Sequence, residues 1–347
     1  MTISIPSEII DELREDVVRF KNDNIYKEIV KPKSAVLARF QPIFSLDHVC
    51  DISAEEFKSF LAFENNQHWT GLHRQSSRLC SDMEQLRAAL AILVDETTLV
   101  NSRLDQVTQM VTGMGKNIAT AILTVVFPEL YGVWNNRSEG GLKRLDLWPE
   151  FERGESFGSR YVKVNEILLH LHDILEIDLW GLDALWWYRD KKALENGDGT
   201  IDEQSDSSEI NHNQQCFGLE RHLHEFMLYN WEHIELSSEW QIYSEPGDPE
   251  AGYEYPCKVG RIDLLAKHKT LPKWLVIELK RNQTSDQTVG QLLRYMSWVK
   301  RHLAEEADQV YGMIICRQPD EAIGYALSMV TNVEMCTYEI DFRLKHL

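Results

Sequence analysis

The sequence predicts an α+β chain of two domains, an all-α N-terminal part over residues 1–192 and a C-terminal α/β core over 216–347. Three observations carry that division. Upstream, apolar residues recur with the 3.6-residue period of helices, whereas downstream strand-like runs alternate with helical ones. Between the two, residues 195–209 hold six acidic residues (Glu195, Asp198, Asp202, Glu203, Asp206, Glu209) and no basic one. Such a stretch buries too little apolar surface to offset its ordering entropy, so residues 193–215 read as an acidic flexible linker.

The helical part begins with "SEIIDELREDVVRF", where Ile9, Ile10, Leu13, Val17 and Val18 form one stripe and Ser7 is the expected N-cap. "SAEEFKSFLAF" opens on Ser53 with Glu56 three residues later, the spacing of a capping box. "DMEQLRAALAILVDE", "SRLDQVTQMVTGMG", "KNIATAILTVVF" and "YVKVNEILLHLHDIL" keep the same period. In "LWGLDALWWYR", Trp180, Trp186, Trp187 and Tyr188 read as the core of a buried helix rather than a base-stacking platform. Downstream, "CFGLERHLHEFMLYNWEHI" is an amphipathic helix with Leu219, Leu223, Phe226 and Met227 inward. Strands follow at about 240–244, 259–267 and 273–280, then a helix at 285–304, the strand "VYGMIICR", a helix at 320–331 and a last strand in "VEMCTYEIDFRL".

Composition narrows the function. The 347 residues carry a formal charge of −19, which argues against nonspecific coating of nucleic acid by the whole surface but leaves room for a local basic groove. The cysteines at 50, 80, 216, 257, 316 and 336 include no CxxC pair, which argues against a zinc knuckle and suits reduced thiols in a cytosol. The amino terminus is acidic and lacks a signal pattern, and the run "IATAILTVVFPELYGVW" is broken by Pro128 and Glu129. A cytoplasmic protein with no membrane partner is the expectation.

The chemistry concentrates in "VGRIDLLAKHKTLPKWLVIELKR", residues 259–281. Side chains alternate faces in a strand, so Glu278 and Lys280 share one face, opposite Ile277 and Leu279. Arg261 and Asp263 share a face of the preceding strand, and the turn "KHKTLPK" can bring Asp263 beside Glu278. Two carboxylates with a backbone carbonyl make a hard oxygen site suited to Mg²⁺, with Mn²⁺ as a substitute. Lys280 projects next to them, placed to hold an attacking water, and the sum is phosphodiester hydrolysis. The plainer reading of the same spacing is a structural ion pair on an exposed hairpin face.

On these residues the segment resembles the PD-(D/E)xK nuclease superfamily, with Asp263, Glu278 and Lys280 in the signature positions and Ile262 where proline is usual. The series "GRIDLLAKH", "WLVIELKR", "TVGQLLRYMSWVK" and "YEIDFRL" is similar to the catalytic domain of NucS/EndoMS-type (DUF91-like) DNA endonucleases, over about residues 216–347. The resemblance implies a restriction-endonuclease-like core, a mixed sheet flanked by helices. It also implies site roles for Gln291 and Tyr295, spaced i, i+4 on the next helix, and for Glu220 on the helix before the sheet. Each has an ordinary alternative: solvated helix surface for Glu220, a backbone cap for Gln291, packing for Tyr295. His222 and His224, two apart, fall on different helix faces and argue against a zinc site.

A polyanion partner is expected from local charge. Lys258 to Arg301 holds ten basic residues, among them Arg261, Arg281 and Arg294, against three acids, a net +7 stretch suited to phosphate contact. In the first half, Gly113-Met114-Gly115 with Lys116 resembles the helix-hairpin-helix of glycosylase-like DNA-binding domains, whose exposed N–H groups take a phosphate. Asn135 and Asn136 stand where that family places an aspartate, so binding without glycosylase chemistry is expected; a glycine-bearing αα corner is the alternative. The β-rich dimerisation domain of NucS-type enzymes has no visible counterpart here, though a homodimer is compatible with the layout. The sequence therefore points to a Mg²⁺-dependent DNA endonuclease of repair or defence. The alternatives are a catalytically inactive DNA-binding or assembly subunit and an RNA-directed nuclease.

Overall fold

The computed structural model describes residues 5–66, 68, 69, 71–195, 223, 224, 226–228, 230–283, 286–318 and 321–338. The chain divides into two compact units, Met1–Ala193 with Glu245–Pro249, and Leu194–Ser244 with Glu250–Leu347. The acidic stretch from 196 onwards lies outside the described residues.

The first unit is helical. Its helices of eight residues or more are α1 (Ser7–Asn22), α2 (Lys33–Phe40), α3 (Ala54–Leu61), α4 (Met83–Val94), α5 (Val100–Met110), α6 (Lys116–Val126), α7 (Asn136–Arg144), α8 (Phe157–Leu175) and α9 (Leu179–Glu195). Of the expected apolar stripe of α1, Leu13 and Val17 are buried, joined by Phe20, whereas Val18 is exposed; the cap is Pro6, so Ser7 sits inside the helix rather than before it. The capping box of α3 is formed as read: Ser53 Oγ accepts from Glu56 N, and Glu56 Oε2 accepts from Ser53 N. Trp180, Trp186 and Tyr188 of α9 are buried in one continuous core, with Trp187 packed against its margin. Asn135 caps α7 by accepting from Arg137 N and Ser138 N, while its amide donates to Asp183 Oδ1.

The second unit is built on a mixed sheet of β1 (Trp240–Ile242), β2 (Tyr253–Cys257), β3 (Gly260–His268), β4 (Lys273–Gln283), β5 (Gln309–Gln318) and β6 (Val333–Thr337). The strand order is β1-β3-β4-β5-β6, with β2 also paired to β3. β3 and β4 form an antiparallel hairpin, whereas β4, β5 and β6 run parallel and are joined by α10 (Asp286–His302) and α11 (Glu321–Ser328). That crossover arrangement is what parallel neighbours require. β2, "YEYPC", is a strand the sequence reading missed. It contains Pro256, which cannot donate to a ladder and is tolerated here because β2 pairs on one side only, with β3.

Both faces of the sheet are covered, which explains why "WLVIEL" in β4 is apolar almost throughout rather than alternating. One face packs Val276, Leu265 and Ile314 against Leu292, Tyr295 and Val299 of α10. The other packs Leu264, Ile277, Leu279 and Met313 against Leu223, Met227 and Trp231. The helical residues at 223–224 and 226–228 thus lie against the face opposite α10.

Candidate active site

The reason for an acid in an apolar strand is visible in the ladder. β3 and β4 pair from Lys267↔Trp274 up to Leu264↔Ile277. One residue beyond, Asp263 intervenes: its Oδ2 accepts the Leu279 N–H at 2.7 Å, a donor that a continued ladder would give to a β3 carbonyl. The strands part there, and the carboxylate satisfies an amide that would otherwise be buried and unpaired. Asp263 is only 5% exposed and Glu278 is 0% exposed, so both carboxylates are held out of water at the point where β3 and β4 separate.

Glu278 and Lys280, two apart on β4, share a face, opposite Ile314 and Cys316 on β5. Lys280 Nζ stands 2.8 Å from Glu278 Oε1. Above the same edge, α10 brings Gln291 Nε2 to 3.3 Å from Tyr295 Oη, as the i, i+4 spacing expects. Tyr295 Oη also accepts the Arg261 N–H at 3.3 Å, tying α10 to the first residues of β3. That approach needs a glycine. Gly260 has φ 136°, and a Cβ there would sit 2.6 Å from Tyr295 Oη. Gly260→Ala is accordingly expected to combine backbone strain with a displaced tyrosine and to cost roughly 1–3 kcal/mol of stability. Chemical denaturation of the two proteins measures it; equal stability would show that Tyr295 yields freely.

The donor set fits a hard divalent cation. Two buried carboxylates on adjoining strands are the usual protein share of a Mg²⁺ site that keeps several waters. Among the described residues no three His, Cys, Asp or Glu are gathered to hold a metal, so the fit rests on the Asp263 and Glu278 carboxylates alone.

The remaining expected residues separate. Glu220 lies outside the described residues, and Arg281 is placed on β4. Arg261 leans toward Glu254 at 4.0 Å, and the Arg294 guanidinium is 6.0 Å from the Tyr295 ring centre. Tyr295 itself is fully buried, and its hydroxyl braces Gln291 and the β3 backbone. The net +7 stretch is not one patch. Lys267 lies four residues along β3 from Asp263, about 13 Å away at 3.3 Å per residue. At that end Lys267 caps the Trp274 ring and Lys300 donates to Asp308 O. Arg261 and Lys280 lie on β3 and β4 at the end that carries Asp263 and Glu278, and Arg294 is three residues on from Gln291 along α10.

The Gly113–Lys116 turn also departs from expectation. Gly113 takes φ 97°, as a tight turn between helices requires, but the phosphate dock is filled. Within the first unit the Lys116 N–H donates to Gly247 O at 3.1 Å, and a Cβ on Gly115 would stand 2.9 Å from that same oxygen. Lys116 is 4% exposed, with its ammonium 2.8 Å from Glu139 Oε2 and 3.1 Å from Asp248 Oδ2. Its charge is neutralised internally instead of being offered to a polyanion.

One residue near the site was passed over in the sequence. His224 Nε2 stands 3.7 Å from Asp263 Oδ2. Its only sequence signal is its place on the helix before the sheet.

Residues 254–346 match the family model for the YhcG PDDEXK nuclease domain. Over that span the C-terminal unit is similar to PDDEXK nuclease domains. Among curated proteins, endonuclease NucS of Methanocaldococcus jannaschii is 35% identical over 79 residues, which covers 21% of this chain and 29% of that protein. The chain therefore spans less than a third of the length of that relative. Two solved structures also align. An EndoMS-dsDNA2 complex has 20% identity and a TM-score of 0.28, over 40% of this chain and 50% of that one. A repair endonuclease from Pyrococcus abyssi has 21% identity and a TM-score of 0.27, over 39% and 50%.

Proposed function

We propose that this chain is a Mg²⁺-dependent DNA endonuclease acting in repair or in restriction of foreign DNA. The observation that carries the reading is the placement of the buried Asp263 and Glu278 on adjoining strands with the Lys280 ammonium at 2.8 Å, inside a domain matched to PDDEXK nucleases. Asp263 and Glu278 hold the cation, which when bound stabilises the charge that develops on the phosphate. Lys280, fixed by Glu278, orients the attacking water, and Gln291 is the second polar group that orients it. Tyr295 keeps Gln291 and the start of β3 in place. Arg261 and Arg294 supply sequence-independent, salt-sensitive contact with the phosphate backbone.

Among the described residues five cysteines are free thiols. No helix among the described residues is long and apolar enough to cross a membrane.

The test is cleavage of a panel of duplex, nicked, mismatched, forked and modified DNA, with single-stranded DNA and RNA alongside, in Mg²⁺ or Mn²⁺. Metal-dependent cleavage of at least one DNA form is expected, with none by Asp263→Asn. A wild-type chain inert on every member, or an Asp263→Asn protein that cuts equally well, overturns the proposal; cleavage confined to RNA moves the substrate class.

A further inference from the structure

The Asp263 carboxylate is held on two sides, and only one of them belongs to the signature motif. Its Oδ2 accepts the Leu279 N–H from β4 at 2.7 Å. From the other face of the sheet His224 brings Nε2 to 3.7 Å of the same oxygen, with side chains 13% and 7% exposed. Nε2 is buried and has no hydrogen-bond partner among the described residues. Leu223 and Met227, four residues apart, are buried in the cluster beneath β3 and β4, so the turn that carries His224 is anchored by its neighbours. If packing were the only demand, an apolar residue would meet it without burying a ring nitrogen, which is costly when it finds no partner.

We propose that His224 is a positioning residue of the candidate site: it donates from Nε2 to Asp263 Oδ2 and fixes the carboxylate so that Oδ1 is the oxygen presented to a cation. The inference rests on the nuclease reading and adds a residue outside its motif. The separation of 3.7 Å is longer than a hydrogen bond. Contacts of this kind are often long before substrate arrives and tighten in the working complex. Partners of this type around a metal-ligating carboxylate orient it and tune its affinity, much as they do around ligating histidines.

Two substitutions separate a donor from a space-filler. His224→Leu keeps the volume and removes the donor, whereas His224→Gln keeps a donor at comparable reach. Mn²⁺ is titrated into the full chain without DNA and followed by electron paramagnetic resonance; cleavage is measured separately as kcat and KM. His224→Leu is expected to weaken Mn²⁺ binding and kcat by about 10–100-fold with KM for DNA unchanged, and His224→Gln to stay within about threefold of wild type. A metal-free measurement stands beside it: long-range ¹⁵N–¹H spectra of the histidine rings, with His224 assigned by its loss in His224→Gln. The Nε2–H tautomer is expected, with a signal that moves in Asp263→Asn. Unchanged Mn²⁺ affinity in His224→Leu, equal losses in both variants, or an imidazole signal indifferent to Asp263→Asn would overturn the proposal. A wild-type chain that binds no Mn²⁺ and cuts nothing, yet shows the Asp263-dependent signal, supports the contact and defeats the nuclease reading alone.

Discussion

Glu278→Gln is expected to abolish DNA cleavage, lowering the single-turnover rate by about 10³-fold, because under the proposed function it removes one of the two charges assigned to the cation, worth several kcal/mol of transition-state stabilisation. The substitution changes one oxygen for an amide and little else. Glu278 is 0% exposed, so the lost charge is not replaced by solvent, and the Lys280 ammonium at 2.8 Å is left facing a neutral group. Under the proposed roles the two effects add: the cation binds less tightly, and Lys280 is no longer fixed. Circular dichroism is expected to be unchanged, which separates a chemical loss from a folding one. Raising Mn²⁺ concentration is expected to recover part of the rate, since weakened binding is offset by mass action. A Glu278→Gln protein that cuts at the wild-type rate would show that this carboxylate belongs to a structural ion pair.

The strand pair that holds the site was legible because its departures from an apolar run are spaced by two, and only a strand puts such residues on one face. Asp263 and Glu278 could be set near one another because a single turn joins β3 to β4. Local signals of the same kind gave the capping box at Ser53 and the shared face of Gln291 and Tyr295. Depth was not legible. Helical spacing puts Tyr295 beside Gln291, but that it is buried under Gly260 and Arg261 follows from a chain segment 34 residues earlier. The same limit applies to Lys116. The sequence displays a cation after a GxG turn, a phosphate-binding pattern, whereas the carboxylate that claims it is 23 residues away and Asp248 is farther still. Asp263 is likewise remote in sequence from His224, and β2 was hidden by a proline that only a known edge position excuses. What failed in each case was a long-range contact that inverts the meaning of a local pattern.

Glu139→Gln is expected to destabilise the helical unit by roughly 3–5 kcal/mol, because breaking a buried ion pair strands a charge that water cannot reach. Glu139 takes Lys116 at 2.8 Å and Trp134 Nε1 at 2.9 Å on Oε2, and Lys143 at 2.6 Å on Oε1. Burial raises the cost of its charge, yet Lys116 and Lys143 overcome that and hold its pKa at about 2, below the ordinary 4.5. Burial likewise opposes the charge on Lys116, but Glu139 and Asp248 push its pKa up, so the pair stays ionised across the working range. For a unit of this size the loss lowers the melting temperature, read from the helical signal at 222 nm, by roughly 10 °C. Adding Lys116→Met removes a cation that has lost one of its two carboxylate partners, while also taking a partner from Asp248, and is expected to restore only part of the loss; no recovery would mean that packing, not charge, was at stake. The pH dependence follows in sign. A carboxylate whose folded pKa lies below its unfolded one contributes stability that is present above 4.5 and is lost as pH falls toward 2. Glu245, raised by burial and by Glu139, works the other way: its contribution is present at low pH and lost as pH rises through its folded value. The wild-type melt is therefore expected to fall on acidification between pH 4.5 and 2, and that limb is expected to flatten in Glu139→Gln. An acid limb of equal depth in both proteins would place the responsible carboxylate elsewhere.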